Sequence, residues 1–440
     1  MFQEAKNVIN NATNPFRPGE VIVRLKGDSA SLTSESGFAA KYGATVADTF
    51  DFGDQGLLDR GQMMQLKLPT GLTTEQAIAQ MKQDPRVAYA EPNFIYTLPK
   101  NELVEGKQAP SAPAQQDGPA QFVPNDLQED LWGMHKTGQN NGKADADIDA
   151  PEAWAIHTGR NDAPIIAVID TGIDYNHSDL KANMWTNPGE IPGDGIDNDG
   201  NGVIDDVHGY NAFADNGDPM DGHGHGSHCA GTIAGVGDNG EGVVGVNHRA
   251  NVMAVKIFSD EGSTDSAAIL RAIEYTTKMG ATITSNSWGG GGASEAQKEA
   301  FAASPALHIM AAGNNGWNND IFPNYPSNYD IPNNIAVAAT DRNDKKASFS
   351  QYGVKNVDIA APGVDILSAK PGGGYQLMSG TSMATPHVAG VAGLVASMYP
   401  QATAAEIKEK VLNGADQLDH LKTKVANGNR LNAHGALTWQ

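Results

Sequence analysis

The stretch GTSMATPHVAGVAGL, residues 380–394, places Ser382 among small residues at the start of an apolar run. Such a run predicts a buried helix that begins close to the serine. A serine hydroxyl is a weak nucleophile unless a neighbouring base removes its proton. What Ser382 can do therefore depends on whether the rest of the chain supplies that base.

Composition narrows the classes of function. The chain has 440 residues and a formal net charge of −22, and this length favours two domains. The negative charge disfavours nucleic acid as a partner and suits divalent cations. No apolar run approaches the roughly 18 residues of a membrane span, so we expect no membrane partner. The single cysteine, Cys229, permits no internal disulfide, and we interpret it as a buried packing residue.

Residues 122–440 are expected to form an α/β domain. Short apolar runs, each ending in a polar or glycine residue, alternate with helical stretches such as SAAILRAIEYTTKMG at 266–280. The runs are PIIAVID (164–170), NVMAVKIF (251–258), ATITSNSW (281–288), LHIMAAG (307–313) and NIAVAAT (334–340). Fully apolar strands alternating with helices predict a parallel sheet covered on both faces, which makes three layers. Ligands bind such sheets at the carboxyl ends of the strands.

The N-terminal part reads as a separate, smaller unit. Residues 18–98 predict an α+β domain, with strands at GEVIVRLK and RVAYAEPNFIYTL and a threonine-capped helix at TTEQAIAQMKQD. Residues 99–121 are rich in Pro, Ala and Gln and predict an exposed linker. Residues 1–17 form an extension without the apolar core of a signal peptide.

Four polar residues stand at predicted strand ends or helix starts. Asp170 ends PIIAVID, His225 lies in HGHGSH, Asn314 follows LHIMAAG, and Ser382 opens its helix. An acid, a base and a nucleophile are the parts of an acyl-transfer triad, and an asparagine amide can bind the developing oxyanion. Taken singly, the aspartate is more typical of a cap or turn. The histidines at 223, 225 and 228 also leave a zinc site open, although no Cys or Glu follows at zinc-finger spacing.

In their order along the chain, these segments resemble the signature of the subtilisin-like serine protease (subtilase) family. HGSHCAGT, GTSMATPHVAG, ASFSQYG and VDIAAPGVDILS carry the resemblance, which spans about residues 122–438 and has features of the thermitase and proteinase K branches. The resemblance implies that Asp170 is the orienting acid, His225 the general base, Ser382 the nucleophile and Asn314 the oxyanion donor.

The same resemblance implies a substrate pocket. One wall would be Ser287, Trp288 and Gly289, the other Ala311, Ala312 and Gly313, and the floor Asn324. A polar, uncharged floor predicts broad specificity with some apolar preference, because extended peptides bind mainly through their backbone.

Two calcium sites are expected. GDGIDNDGNGVIDDVHGY has the ligand spacing of an EF-hand-type loop but lacks its final glutamate; a solvated acidic loop is the alternative. The expected ligands there are Asp197, Asp199, Asn201, Val203, Asp205 and, in place of the glutamate, Asp206. A second site rests on the family resemblance alone, with Asp126, Asp179 and Asn239 as ligands.

Together these features predict a secreted, calcium-stabilised serine endopeptidase whose signal peptide is absent from this sequence. It would act as a monomer on protein and peptide substrates. Residues 18–98 would be an inhibitory prodomain, removed by self-cleavage somewhere in 98–122. A narrow-specificity maturation protease, with Asp265 as an acidic pocket candidate, and a catalytically silent relative stay open as alternatives.

Overall fold

The computed structural model describes residues 15–27, 35–52, 62–99, 102–104, 121–162 and 164–440. Most of the predicted extension (1–17) and of the predicted linker (99–121) lies outside these described residues. The chain divides into two compact units. The N-terminal unit comprises Met1–Thr97, Ser263–Met279 and Gly290–Pro305, and the main unit comprises Leu98–Gly262, Gly280–Gly289 and Ala306–Gln440.

The strands and helices of the described residues are as follows. The strands are β1 (Phe16–Leu25), β2 (Thr45–Phe50), β3 (Met63–Lys67), β4 (Val87–Thr97), β5 (Ile166–Asp170), β6 (Gly209–Asn211), β7 (Val252–Lys256), β8 (Ser263–Asp265), β9 (Ile283–Asn286), β10 (Leu307–Ala311), β11 (Asn334–Thr340), β12 (Ile359–Pro362), β13 (Ile366–Ala369), β14 (Tyr375–Met378), β15 (Asp416–Gln417) and β16 (Asn429–Arg430). The α-helices are α1 (Glu35–Lys41), α2 (Thr74–Met81), α3 (Ala150–Trp154), α4 (His225–Ala234), α5 (Ser266–Lys278), α6 (Glu295–Ala303), α7 (Thr381–Met398), α8 (Ala404–Asn413) and α9 (Ala433–Thr438).

The N-terminal unit is built on an antiparallel sheet in the order β2-β3-β1-β4-β8. The predicted strands β1 and β4 and the predicted helix α2 are all present. Thr73 caps α2 through a capping box with Gln76, in which each side chain bonds the other residue's backbone amide. Alternate apolar residues of β1 and β3 pack with Phe38 and Met81 into the core of this unit.

Strand β4 fastens two later segments of the chain into this unit. The Glu91 carboxylate accepts hydrogen bonds from the backbone amides of Glu295 (2.9 Å) and Ala296 (3.3 Å), at the start of α6. The Asn93 side-chain oxygen accepts one from the amide of Ala267 (3.0 Å), in the first turn of α5. Because the first amides of a helix have no partner within the helix, these side chains satisfy groups that α5 and α6 leave open.

The main unit is built on a nine-stranded sheet in the order β15-β16-β12-β11-β10-β9-β5-β7-β6. Every pairing in it is parallel except that of β15 with β16. Strands β5, β7, β9, β10 and β11 coincide with the five predicted apolar runs and are buried along their whole length. The predicted parallel α/β fold is therefore confirmed.

The topology opens a crevice beside β5. From β5 the chain adds β6 and β7 on one side, and then β9 to β12 on the other. Such a reversal of strand order leaves space at the carboxyl ends of the strands. Helices α4 and α7 pack against each other, and α7 also packs against strands β9 to β12. None of the helices in the described part of the chain has the length and hydropathy of a membrane span.

We expect Asp84 to stabilise the N-terminal unit strongly at neutral pH. Its buried carboxylate accepts hydrogen bonds from Arg86 (2.7 and 2.9 Å), Lys41 (2.7 Å) and Tyr42 (3.1 Å), and the Arg86 bonds hold the pKa of Asp84 well below its usual value. Asp84→Asn should cost about 1–3 kcal/mol at pH 7. A lowered pKa stabilises above the unfolded-state value of 3.8, so the difference from wild type should shrink as pH falls below it.

Thermal melts of the full chain between pH 7 and pH 2 measure this effect. Glu75→Gln, on the exposed face of α2, is the matched control, and it should change stability by less than about 0.5 kcal/mol. An Asp84→Asn protein that melts like the control at pH 7 would contradict the assignment.

Candidate active site

Asp170 and His225 form a buried pair at the carboxyl end of β5. Asp170 is the last residue of β5, and His225 is the first residue of α4. His225 Nδ1 lies 2.7 Å from Asp170 Oδ1, and both side chains are almost fully buried. The backbone amide of Thr171 also donates to Asp170 Oδ1 (2.7 Å). This bonding favours a proton on Nδ1 and leaves Nε2 facing the other way.

Asp221 joins the start of α4 to the end of β5. One of its oxygens accepts from Thr171 Oγ1 (2.9 Å), and the other accepts from both the amide and the hydroxyl of Ser227 (2.9 and 2.7 Å). Thr171 Oγ1 in turn accepts from the amide of Gly226 (2.9 Å). These buried bonds fix the helix that carries His225 relative to the strand that carries Asp170.

Ser382 and Asn314 lie at the same end of the sheet. Ser382 is the second residue of α7, and Asn314 follows β10. The Asn314 side-chain oxygen accepts from the amide and the hydroxyl of Thr381 (both 2.9 Å), so its NH₂ group points away from the helix. The Ser382 hydroxyl lies 3.1 Å from the carbonyl oxygen of Ser287. All four predicted polar residues are thus brought to one place.

The carboxylate of Glu102 lies among these four residues. Its Oε1 accepts from Ser382 Oγ and from Asn314 Nδ2, both at 2.8 Å, and its Oε2 lies 2.8 Å from His225 Nε2. Burial alone would lower the pKa of His225, but the charges of Asp170 and Glu102 outweigh it and raise that pKa well above its usual value. His225 is accordingly held between two carboxylates, one at each ring nitrogen.

Cys229 lies beside the Asp170–His225 pair, with its Sγ within 4.8 Å of side-chain atoms of both residues, whereas His228 faces a different segment. His228 Nε2 lies 3.0 Å from the carbonyl oxygen of Ile366, and burial lowers the pKa of His228 to about 3. Since His225 and His228 face different partners, their ring nitrogens do not converge as zinc ligation requires. Cys229 is fully buried, and burial raises the pKa of its thiol well above the usual value, which suits a packing role.

The predicted pocket segments meet at Asn324. A Cβ built on Gly289 would come within 2.8 Å of the Asn324 amide nitrogen, and one on Gly313 within 3.1 Å of its Cγ. The two segments 287–289 and 311–313 therefore flank this side chain. Trp288 differs from a simple wall residue, since its indole is buried and donates to the carbonyl of Ile169 (3.0 Å).

The acidic loop gathers a different set of carboxylates from the one expected. Oxygens of Glu190, Asp199 and Asp206 lie within 4.8 Å of one another. Asp197 instead accepts from the backbone amides of residues 200, 201 and 202, and Asp205 from those of residues 193 and 195. Asp197 and Asp205 thus cap turns of this loop, and their role as calcium ligands stays a prediction. Glu190 joins the carboxylate cluster at a position that the EF-hand spacing does not predict.

The second predicted calcium site combines two buried carboxylates, Asp126 and Asp179, with the exposed Asn239. Asp126 accepts from the Asn239 amide (2.9 Å), and Asp179 from the Asn239 side-chain nitrogen (2.8 Å). Burial raises the pKa of Asp126, and it raises that of Asp179 to about 6. One buried oxygen each of Asp126 and Gln128 has no hydrogen-bond partner among the residues that the structure describes. These oxygen ligands fit a hard cation such as calcium, although the Asn239 side chain would have to turn its amide oxygen toward the ion.

Two residues of these sites are absent from the sequence-based prediction. Glu102 lies in a compositionally biased stretch, and no motif surrounds it. Glu190 precedes Asp197 by seven residues, and its acidic character beside GDGIDNDG was the available signal.

Comparison with known proteins agrees with the geometry. The sequence model described as the subtilase family matches residues 161–436, and that of the fervidolysin N-terminal prodomain matches residues 2–93. Thermitase from Thermoactinomyces vulgaris is 40% identical over 296 residues, which cover 66% of this chain and 94% of thermitase. The thermophilic serine proteinase of Bacillus sp. (strain AK1) is 30% identical over 434 residues, which cover 98% of this chain and 90% of that protein. The chain therefore belongs to the subtilase family and is a subtilisin-like serine endopeptidase preceded by an N-terminal prodomain.

Proposed function

We propose that Asp170, His225, Ser382 and Asn314 carry out peptide hydrolysis in a calcium-stabilised, self-processing precursor of broad specificity. The observation that carries this proposal is the convergence of His225, Ser382 and Asn314 on the two oxygens of one carboxylate. A group bound there by the nucleophile and the amide donor lies where the carbonyl oxygen of a reacting peptide would develop charge.

The mechanism follows from these positions. With a peptide in place of Glu102, His225 Nε2 removes the Ser382 proton as Oγ attacks the carbonyl carbon, and Asp170 stabilises the resulting imidazolium. Asn314 Nδ2 and the amide of Ser382, in the first turn of α7, donate to the oxyanion. His225 then gives its proton to the leaving amine. Water hydrolyses the acyl-serine by the same steps in reverse.

Pocket chemistry supports broad specificity. Asn324 is polar but uncharged, and glycines border it on both sides, so the pocket offers space without a charge to select for. Asp265, the acidic candidate for a narrow-specificity pocket, caps α5 and pairs with Arg17 (3.0 Å) in the N-terminal unit. A catalytically silent relative is disfavoured because all four catalytic positions hold competent residue types.

The prodomain role rests on the N-terminal unit. Residues 15–97 share this unit with α5 and α6, whose sequence lies in the range of the peptidase family model. Glu91 and Asn93 complete the first turns of those helices, which favours assembly of the prodomain with the peptidase segments. We further infer secretion, action as a monomer, protein and peptide substrates, and processing within 98–122. N-terminal sequencing of the product locates the cut.

Calcium would bind the set Asp126, Asp179 and Asn239, and the cluster Glu190, Asp199 and Asp206. In each place it would neutralise two buried carboxylates, Asp126 and Asp179 in the first and Glu190 and Asp206 in the second. Its contribution would be to stability, because a cation that binds only the folded state favours folding by mass action.

Ser382→Ala should abolish proteolysis and leave the precursor at full length, because the nucleophile is missing while the fold is preserved. Casein hydrolysis should fall by roughly a million-fold, and a serine-directed inhibitor should bring wild type to the same level. The purified variant is followed on gels, alone and with a trace of wild type. Self-processing is wrong if the variant alone is cut between residues 98 and 122.

Asn314→Ala should lower kcat by about a hundred-fold or more, as expected when one oxyanion donor is removed. KM for a small peptide substrate should change little, because the donor acts mainly on the transition state. Steady-state kinetics on the processed enzyme separate the two parameters. A change confined to KM would assign Asn314 to substrate binding instead.

Chelating calcium should lower the melting temperature and speed autolysis. Asp179→Asn should lose much of this calcium response, because it removes one buried carboxylate of the proposed site. Glu409→Gln, an exposed position on α8, is the charge-matched control and should respond like wild type. Identical melting curves with chelator and with added calcium, for every protein, would exclude stabilisation by calcium.

A further inference from the structure

The proposed mechanism does not use Glu102, although its side chain is almost fully buried, at 4% exposure, in the catalytic centre. One carboxylate oxygen takes hydrogen bonds from Ser382 and Asn314, and the other forms an ion pair with His225. A single anionic side chain thus contacts the nucleophile, the base and the oxyanion donor at once.

The backbone around Glu102 is fixed by main-chain hydrogen bonds. The Glu102 carbonyl oxygen accepts from the amide of Ser379 (2.8 Å), and the amide of Val104 donates to the carbonyl of Leu377 (3.1 Å). Residues 102–104 therefore pair antiparallel alongside β14, the strand that precedes Ser382 in the chain.

The chain before Glu102 and the backbone beneath its carboxylate both limit where the side chain can lie. Four residues before Glu102, the amide of Leu98 donates to the carbonyl of Gly262 (2.9 Å). Beneath the carboxylate, a Cβ built on Gly380 would come within 2.5 Å of Glu102 Oε1. A residue larger than glycine at 380 would displace the carboxylate, so its position depends on a specific fit and not only on the course of the chain.

The contact disables each catalytic group in a different way. Ser382 donates its proton to Glu102 and not to His225. Both ring nitrogens of His225 are occupied by carboxylates, Nδ1 by Asp170 and Nε2 by Glu102, so Nε2 is not available to take the Ser382 proton. Asn314 already donates to an anionic oxygen, and charge-assisted hydrogen bonds are among the stronger ones in proteins.

We propose that the Glu102 side chain is the inhibitory group of the precursor, a built-in carboxylate ligand of the oxyanion site that keeps the enzyme silent until it is displaced. The proposal rests on the roles proposed above for Ser382, His225 and Asn314. It assigns the block to one side chain downstream of the prodomain fold, and not to general coverage of the cleft. A carboxylate is a poor electrophile, so it can occupy this position without being cut.

The test is the rate at which a fluorophosphonate probe labels full-length protein, compared among wild type, Glu102→Ala, Glu102→Gln and Leu103→Ala. Leu103 is 60% exposed in the same segment and is the matched control. Both Glu102 variants should be labelled about ten-fold faster or more, as expected for loss of a charged hydrogen bond. Leu103→Ala should be labelled at the wild-type rate.

Acetate provides a second measurement. Added acetate should slow the labelling of Glu102→Ala, because it can occupy the vacated anion position, and it should leave Glu102→Gln unchanged, because the carboxamide still fills that space. Faster labelling of Glu102→Ala that acetate does not slow would overturn the role of the carboxylate. Melting temperatures establish which variants are folded, and if Glu102→Ala is not, Glu102→Gln carries the comparison.

Two further outcomes separate the inference from the function on which it rests. Wild-type labelling rates in the folded Glu102 variants, or equal acceleration in Leu103→Ala, would overturn the role of Glu102 while self-processed wild type still reacts. Label on Ser382→Ala, or no label on any form including self-processed wild type, would instead overturn Ser382 as the nucleophile.

Discussion

A buried charge that must be balanced governs the geometry of this protein. His225 and Asp170 are removed from water, and an unpaired ion there would cost several kcal/mol. Their 2.7 Å contact offsets this cost only while β5 and α4 keep the same relative position. That position is set by β5, which is hydrogen-bonded on both sides, and by Asp221, which bonds both the end of β5 and the first turn of α4. The nucleophile and the oxyanion donor then have to reach this fixed pair.

Sequence patterns were sufficient to predict those site residues that lie at the ends of strands and helices. Asp170 and Asn314 end or follow uninterrupted apolar runs, and His225 and Ser382 begin small-residue helices. In a parallel sheet the carboxyl ends of the strands lie at one edge. Local sequence patterns therefore predicted that four residues far apart in the chain would lie close together. Glu102 lacks any such signal. Its partner Ser382 lies 280 positions away along the chain, and the segment around it has the composition of a linker. The acidic loop shows the same limit. Ligand spacing predicted the loop, but Asp197 and Asp205 accept hydrogen bonds from its backbone turns, and Glu190 joins Asp199 and Asp206 in the carboxylate cluster.

Two carboxylates from the N-terminal part of the chain, Glu91 and Glu102, accept hydrogen bonds from donors of the peptidase segments. Glu91 accepts amides at the start of α6, and Glu102 accepts donors that are arranged for an oxyanion. In each case a group of N–H or O–H donors that the peptidase segments leave open is satisfied by an anion from the preceding chain. The first contact favours a folded helix terminus, and the second acts on chemistry. If the proposed roles of Glu91 and Glu102 hold, separate substitutions would change the assembly of the precursor and its inhibition.

Strand β14 gives the pairing of residues 102–104 a further consequence. If a substrate paired with β14 as residues 102–104 do, the precursor segment and that substrate would exclude each other. Because the segment belongs to the same chain, it competes at an effective concentration that is roughly millimolar for short tethers. A single cut on one side of Glu102 would leave the segment attached to the chain through its other end. The effective concentration would then fall only as far as the longer tether requires. Only release of the segment would make its return depend on the protein concentration, so dilution would itself favour the uninhibited form.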